Sequence, residues 1–332
     1  MILKKVAVIG GDGIGPEVIS SAVRLLENLN VDLELIPAKM GLECYNRTGH
    51  FIPGETMQAL EQSDACLFGA VTTPLDRKHG PSILFLRKHF DLYANVRPVK
   101  RLHPSIGLVD LDMAIVRENT EGMYTGIERE DSDGVTLERR VTEKASRRIV
   151  RFAVELCLNE GRKRITCVHK ANAMRISDGL FRRVFFEETE GTGLDAQEML
   201  VDAAAAALVL KPRELDCVVT LNLYGDVLSD EAAALVGGLG FGPSGNIGDR
   251  YAIFEPSHGS APDIAGTGIA NPVAAMLSTA MMLRYLGERV EAGRIEKVIR
   301  LGLERGIRTQ DVGGKHKTAS YTEALIGLLE EV

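Results

Sequence analysis

Short apolar runs separated by amphipathic stretches set the rhythm of this chain. Lys5-Val6-Ala7-Val8-Ile9 is apolar enough for a buried strand, and the spacing predicts an amphipathic helix from Pro16 to about Asn28, with the proline in its first turn. Leu33-Glu34-Leu35-Ile36 reads as a strand, about Glu55 to Gln62 as a helix and Ala65-Cys66-Leu67-Phe68-Gly69 as another buried strand. That order predicts an α/β fold in which helices cover both faces of a parallel sheet. Ser82 to Phe90 has helical periodicity, Asp91 to Val99 reads as a strand broken by Pro98, and Met113-Ala114-Ile115-Val116 as a further strand. Between Tyr124 and Val141, alternating residues flank Asp131-Ser132-Asp133-Gly134, which predicts a β-hairpin arm suited to embracing a partner subunit, with an exposed polar loop as the alternative. A helix from Glu143 to Leu158, a strand at Ile165-Thr166-Cys167-Val168 and an alanine-rich helix from Val201-Asp202 through Leu210 follow. Gly237 to Gly248 is too glycine-rich for a regular element and reads as a ligand-lining loop or hinge. Ile253 to Pro272 is loop-rich as well, and helices from about Val273 and Arg289 close the chain.

Composition narrows the function classes. The 332 residues are 45% hydrophobic, enough for a large core and about two domains. A net charge of −7, without a Lys/Arg-rich run, argues against a nucleic-acid partner. No apolar stretch is long enough to span a membrane, and Met1 to Lys5 runs straight into a strand pattern, so a cytoplasmic protein is expected. Five cysteines, with no C-x-x-C pair and mostly within apolar runs, predict reduced thiols and neither a disulfide framework nor a zinc site.

Candidate chemistry gathers at Asn222-Leu223-Tyr224-Gly225-Asp226-Val227-Leu228-Ser229-Asp230, which follows the apolar run Cys217 to Leu221. The stretch reads as strand, short turn and a helix opening near Asp226. Residues four apart share a helix face, so Asp226 and Asp230 would present two hard oxygen ligands suited to Mg²⁺ or Mn²⁺. The competing reading is that both acids merely complement a helix N-terminus. Arg87, Arg97 and Arg117 lie on a helix turn and at strand ends; singly each reads as a surface charge, together they would make a receptor for a dicarboxylic acid. Lys170 lies at the carboxyl end of a strand, where open α/β sheets bind ligands, and Asp202 could be no more than an N-cap. Gly11, Gly13 and Gly15 are spaced G-x-G-x-G and therefore do not make a dinucleotide fingerprint.

Longer motifs carry a resemblance. Gly11-Asp12-Gly13-Ile14-Gly15-Pro16-Glu17, Leu86-Arg87, Tyr93-Ala94-Asn95-Val96-Arg97-Pro98, Val116 to Tyr124, His169-Lys170-Ala171-Asn172 and the 222–230 and 254–272 stretches occur in order along nearly the whole chain. Together they resemble the β-decarboxylating dehydrogenases: the isocitrate, isopropylmalate, homoisocitrate and tartrate/malate enzymes. The resemblance implies a non-Rossmann, two-domain α/β fold, with a large nucleotide-binding domain at 1–96 and 237–332, a small domain at 97–236 and a β-arm for dimerisation. It implies that Arg87, Arg97 and Arg117 hold the carboxylates of a 2-hydroxy diacid. Asp226 and Asp230, with Asp202 of the neighbouring subunit, would bind Mg²⁺ or Mn²⁺. Lys170, also from the neighbour, would relay the hydroxyl proton, with Asp226 counted among the catalytic groups. Tyr124 would protonate the enolate left by decarboxylation. Every member of this set is present, whereas a regulatory relative would have lost part of it.

The same resemblance places Ile14, Thr72, Asn172, Glu255, His258, Gly259, Ser260, Ala261, Asp263, Ile264 and Asn271 around the cofactor. His258 and Asn271 would address the adenine. Asp263-Ile264 stands where NADP-using relatives resemble Lys-Tyr, and a carboxylate there accepts ribose hydroxyls but repels a 2′-phosphate, so NAD is expected. Ahead of Arg87, Pro81 and Ile83 stand where isocitrate enzymes resemble one another in placing Ser and Asn, and Leu84 where homoisocitrate enzymes can place an arginine; the apolar Ile83/Leu84 pair favours 3-isopropylmalate, with homoisocitrate, D-malate, tartrate and isocitrate as alternatives. Gly80 and the Ala203 to Ala207 run depart from the family's pattern.

Overall fold

The protein is described by a computed structural model over residues 3–74 and 81–332. Gly80, where the sequence departs from the family's pattern, lies outside those residues. Among the described residues there are twelve strands: β1 (Lys4–Gly11), β2 (Leu33–Ala38), β3 (Ala65–Ala70), β4 (Ala94–Lys100), β5 (Asp112–Glu118), β6 (Glu128–Glu130), β7 (Val135–Leu137), β8 (Arg164–His169), β9 (Asp195–Leu200), β10 (Cys217–Thr220), β11 (Pro243–Ile247) and β12 (Ala252–Pro256). Ten form one sheet in the order β2-β1-β3-β12-β11-β4-β5-β10-β8-β9, while β6 and β7 form a separate hairpin. The fold is α/β, as expected.

The sheet is not wholly parallel, as the βαβ rhythm had suggested. β2-β1-β3-β12 are mutually parallel, and so are β5-β10-β8-β9. β11 is antiparallel to both β12 and β4, and β4 is antiparallel to β5. The two parallel halves therefore run in opposite directions across an antiparallel seam.

Strand pleating sorts the core. In the first half Val6, Leu67 and Phe254 pack into one cluster with the helices Gly15–Leu26, Val273–Leu286, Arg289–Glu304 and Thr318–Ile326, while their neighbours Ala7, Ile9, Cys66, Phe68 and Ile253 pack into another on the opposite face. In the second half Val116, Cys167 and Val219 pack under the helices Glu143–Glu160 and Ser177–Thr189, and Ile115, Val168 and Val218 under Val201–Leu210 and Asn222–Val236. All five cysteines are buried and unpaired by disulfides. No helix among the described residues is long and apolar enough to cross a membrane.

Several expectations need correction. The expected loop at 237–248 contains β11, which lies inside the sheet: pairing on both sides stabilises a Gly-bearing segment whose own propensity is poor. At Gly245 a Cβ would stand 3.0 Å from the Phe254 ring, so the small residue is a packing requirement. Residues 253–256, expected in loop, belong to β12. Pro98 does not break its strand; the β11 ladder ends at Val96, and Pro98 continues paired with β5 alone. The helices Leu42–Thr48, Ser177–Thr189 and Thr318–Ile326 and strand β9 were not anticipated, the helix at Leu42 because its periodicity is too short to register. The 124–141 arm does form a hairpin, but its ladder is three residues long and its turn is closed by Asp131 Oδ1 accepting the Asp133 and Gly134 N–H groups.

Candidate active site

The helix following β10 opens at Asn222, one turn earlier than expected, because Leu221 is extended and acts as its N-cap. Asp226 and Asp230 therefore lie in its second and third turns, outside the reach of a helix-terminus role. Asn222, Asp226 and Asp230 repeat at intervals of four and share one face. That face meets the seam of the sheet. Arg117, only 2% exposed, is ion-paired with Asp226 Oδ1 and donates Nε to Asn222 Oδ1 at 2.9 Å. Arg97 donates to Asp230 Oδ1 at 2.7 Å, Ser229 Oγ at 2.7 Å and Asn95 Oδ1 at 3.0 Å, and lies 3.4 Å from Asp226 Oδ1. Tyr124 donates to Asp226 Oδ2 at 2.8 Å.

These arginines are not the surface charges that each alone suggested. All three are buried. Arg87, on the helix Ser82–His89, lies 3.5 Å from Glu255 Oε1, and its Nε is buried without a partner. Burial pulls the Arg117 guanidinium down to about 10; Asp226 opposes this, while Arg87 and Arg97 add to it by like-charge repulsion. Burial alone would raise the Asp226 carboxyl, but Arg117, Arg97 and the Tyr124 hydrogen bond outweigh it and hold the group below its usual range. Burial pushes Asp230 up against the pull of Arg97. Burial, reinforced by Asp226, likewise raises Tyr124. The result is an anion-receptive cluster with a phenol that stays protonated beside an ionised carboxylate.

The nucleotide candidates gather where β1, β3 and β12 end. Ile14 N–H donates to Ser260 O at 2.9 Å, and Thr72 Oγ1 donates to Ser260 Oγ at 2.8 Å. Gly13 has φ +61°, and a Cβ there would stand 1.9 Å from Ser260 O, so only glycine lets the two loops meet. His258 Nε2 is buried without a partner, and burial pulls this imidazole down toward its neutral form. Ala261 adopts the left-handed φ of 37°, while Gly259 and Asp263 are exposed and Ile264 is half-buried beside them. Asn271 is buried, accepting the Val273 N–H and donating to Asp311 Oδ2, so its side chain is already engaged in the loop. Asn172 is exposed on the loop after β8, with Lys170.

Lys170 and Asp202 form their own pair at 2.6 Å, on the loop after β8 and in the first turn of the helix after β9. Asp202 is not an N-cap: that position is Leu200. The Lys170 hydrogen bond holds the Asp202 carboxyl below its usual range. Within one chain this pair has no bond to Asp226 or Asp230, and among the described residues no group of three or more His, Cys, Asp or Glu side chains could hold a metal ion. Of the specificity pair, Ile83 packs against the core cluster with Ile9, Phe68 and Leu92, whereas Leu84 belongs to no core cluster.

Sequence reading missed the polar layer beneath the arginines. Asn95 lies opposite Arg117 on β5 and opposite Asn246 on β11. It donates to Asn246 Oδ1 at 3.1 Å and Ser244 Oγ at 2.8 Å, and Asn246 donates to Glu255 Oε1 at 2.7 Å. Nothing local marks these residues, because their meeting depends on strand register. Asn222 was different: its four-residue spacing from Asp226 was a usable signal. Asp12 was also legible only in three dimensions, its buried carboxylate accepting N–H groups from Leu42, Glu43 and Thr72 at 2.8, 3.0 and 2.8 Å.

Buried arginines, paired aspartates and a protonated phenol meet at the seam of this sheet, and comparison with known proteins identifies the class. The model of the isocitrate/isopropylmalate dehydrogenase family matches residues 5–325. The chain is 46% identical to the 3-isopropylmalate dehydrogenase of Methanothermobacter thermautotrophicus, over 98% of this chain and 99% of the relative. It is 47% identical to the isocitrate/homoisocitrate dehydrogenase of Thermus thermophilus, over 99% of each. Among solved structures, the isocitrate dehydrogenase of Methylococcus capsulatus superposes with a TM-score of 0.95 at 37% identity, covering 98% of this chain and 99% of that one. The protein belongs to the isocitrate/isopropylmalate dehydrogenase family, whose members are β-decarboxylating dehydrogenases acting on small molecules, generally with NAD(P) and a divalent metal, and usually as oligomers.

Proposed function

We propose that this protein oxidises and decarboxylates 3-isopropylmalate to 2-oxoisocaproate, the leucine-biosynthesis step, with NAD and Mg²⁺ or Mn²⁺. The observation that carries this reading is the convergence of Arg87, Arg97 and Arg117 on the Tyr124–Asp226–Asp230 cluster. The unpartnered Arg87 Nε is a buried donor suited to a substrate carboxylate. Asp226 and Asp230 fit a hard divalent cation that keeps several waters and is held by one or two carboxylates plus substrate. Asp202 of a neighbouring subunit would add a third carboxylate. The unpartnered His258 Nε2 fits a nucleotide base, and Asp263 favours NAD over NADP.

When bound, the metal supplies Lewis-acid polarisation of the 2-hydroxy acid and NAD accepts hydride. This chain's own residues orient and move protons. The arginines fix the carboxylates in fork geometry. Lys170, from the neighbouring subunit, takes the hydroxyl proton, and Tyr124 delivers its phenolic proton to the carbon that has lost CO₂. The separation of Lys170 and Asp202 from Asp226 within one chain supports a homodimer or larger assembly with shared sites. The division of the core into clusters on either side of the seam supports a large domain at 1–96 and 237–332 and a small one at 97–236.

Leu84, one turn before Arg87, supplies an apolar wall for the isopropyl group, a contact worth roughly 1.5–3 kcal/mol when fully buried. An unpaired third carboxylate buried there would cost several kcal/mol, so discrimination of about a hundredfold is expected. Homoisocitrate is the second reading, because relatives that carry that name match at comparable identity. The test is a side-by-side kcat/KM comparison of 3-isopropylmalate, homoisocitrate, isocitrate and D-malate with NAD and with NADP. Isopropylmalate with NAD should rank first; a higher value for another diacid overturns the substrate, and equal efficiency with NADP overturns the nucleotide.

A further inference from the structure

A buried carboxylate outside the cluster above joins three elements that the proposed chemistry uses separately. Asp178, 0% exposed, lies in the first turn of the helix Ser177–Thr189. Its Oδ2 accepts the backbone N–H of Lys170 at 2.8 Å and the Tyr224 hydroxyl at 3.1 Å. Its Oδ1 accepts Arg139 Nη1 at 2.6 Å and the Ser177 hydroxyl at 3.2 Å. Arg139 comes from the return of the hairpin arm, and its guanidinium also lies over the Tyr224 ring, 5.6 Å from the centroid. Tyr224 stands two residues before Asp226 on the helix Asn222–Val236. Four donors saturate this carboxylate, and a buried anion of that kind is costly to disturb, so the geometry around it is rigid.

Lys170 is thereby fixed at two points: its backbone by Asp178 and its ammonium by Asp202. We infer that Asp178 is a positioning residue that holds Lys170 in register for the neighbouring subunit's active site, with Arg139 of the arm securing Asp178 in turn. The inference rests on the shared-site reading proposed above. Asp178 touches neither substrate nor cofactor; it acts through the loop bearing the lysine, and small displacements of a proton-transfer group cost large factors in rate.

Subunit complementation tests it. Asp178→Asn should lower kcat by about 10²-fold while KM for NAD and for the hydroxy diacid stays within about threefold. Mixed with Asp226→Asn under conditions of verified subunit exchange, it should regain activity. In the mixed dimer the Asp178→Asn chain retains Asp226 and receives Lys170 from a chain whose Asp178 is intact. Lys170→Ala mixed with Asp226→Asn is the control for the shared site itself. If the control pair recovers and the Asp178→Asn pair does not, the damage lies in that chain's own half-site, through Tyr224, and the inference is overturned. Absence of recovery in both pairs overturns the shared-site reading and this inference with it. Arg139→Gln serves where Asp178→Asn does not fold: it should lower kcat and be complemented by Asp226→Asn in the same way, and wild-type kcat or absence of recovery counts against the role.

Discussion

Tyr124 donates its hydroxyl to Asp226 at 2.8 Å, and the same carboxylate is ion-paired with the buried Arg117. The phenol therefore rests against a negative charge that a guanidinium holds in place. Burial and that charge raise the Tyr124 pKa, so its proton is retained throughout the neutral range and is available for donation. Tyr124→Phe should lower kcat by roughly 10²–10⁴-fold while leaving substrate KM nearly unchanged. Because the hydrogen bond to Asp226 is lost while Arg117 and Arg97 remain, the variant should stay folded by circular dichroism. A kcat within a few-fold of wild type would remove Tyr124 from the proton path.

Asp226 is tested best without turnover. Saturating Mn²⁺ should raise the Tm of the wild-type protein, since a ligand at a hundred times its Kd adds about 2.7 kcal/mol to the folded state. In Asp226→Asn one chelating carboxylate becomes a neutral amide, and the Mn²⁺-dependent rise should largely vanish. The metal-free Tm should also drop, because the buried Arg117 loses its counter-charge. An undiminished Mn²⁺ response would place the metal elsewhere.

Ile83 and Leu84 are adjacent but differ in packing, and their variants should separate accordingly. Leu84→Ala is expected to lower kcat/KM for 3-isopropylmalate by about tenfold and to leave isocitrate turnover, however slow, little changed. Ile83→Ala, which opens a gap beside Ile9 and Phe68, should lower the Tm more than it alters substrate preference. Equal effects of the two substitutions on the ranking of diacids would assign both side chains to the substrate pocket.

Acid stability should report on the ion network between the helices Glu143–Glu160 and Ser177–Thr189. Arg147 donates to Glu143 and Glu187 at 2.7 and 2.8 Å and is also paired with Glu188, while Arg151 and Arg183 reach the same acids. The arginine hydrogen bonds hold all three carboxyls below their ordinary 4.5. Groups with depressed folded-state pKa values add stability above their unfolded pKa and lose it as pH falls through the folded value. Arg147→Gln should therefore melt a few degrees below wild type at pH 7, with the gap closing as pH falls below 4.5. A gap independent of pH would mean that Arg147 acts through packing alone.

Local periodicity determined a good deal of this protein. Strands β1, β3, β5, β8 and β10, the helices beginning near Pro16, Ser82, Glu143 and Val273, and the shared face of Asp226 and Asp230 all follow from neighbours along the chain, and helix and strand periods are local properties. The long motifs marked the family by the same token. What required the tertiary structure was everything set by register between distant segments. Asn95 meets Asn246 only because β11 enters the sheet between β12 and β4, joining positions 151 residues apart, and that pairing makes a strand of a stretch whose glycines argue against one. Arg87, Arg97 and Arg117 come from three elements, and the seam that brings them together buries them. Lys170 and Asp202 pair just past the ends of the adjacent strands β8 and β9, while Asp226, on the helix after β10, is held by Arg117 and Arg97 from the seam side of that strand; the order of strands in the sheet, which sequence spacing does not encode, is what sets these distant segments side by side.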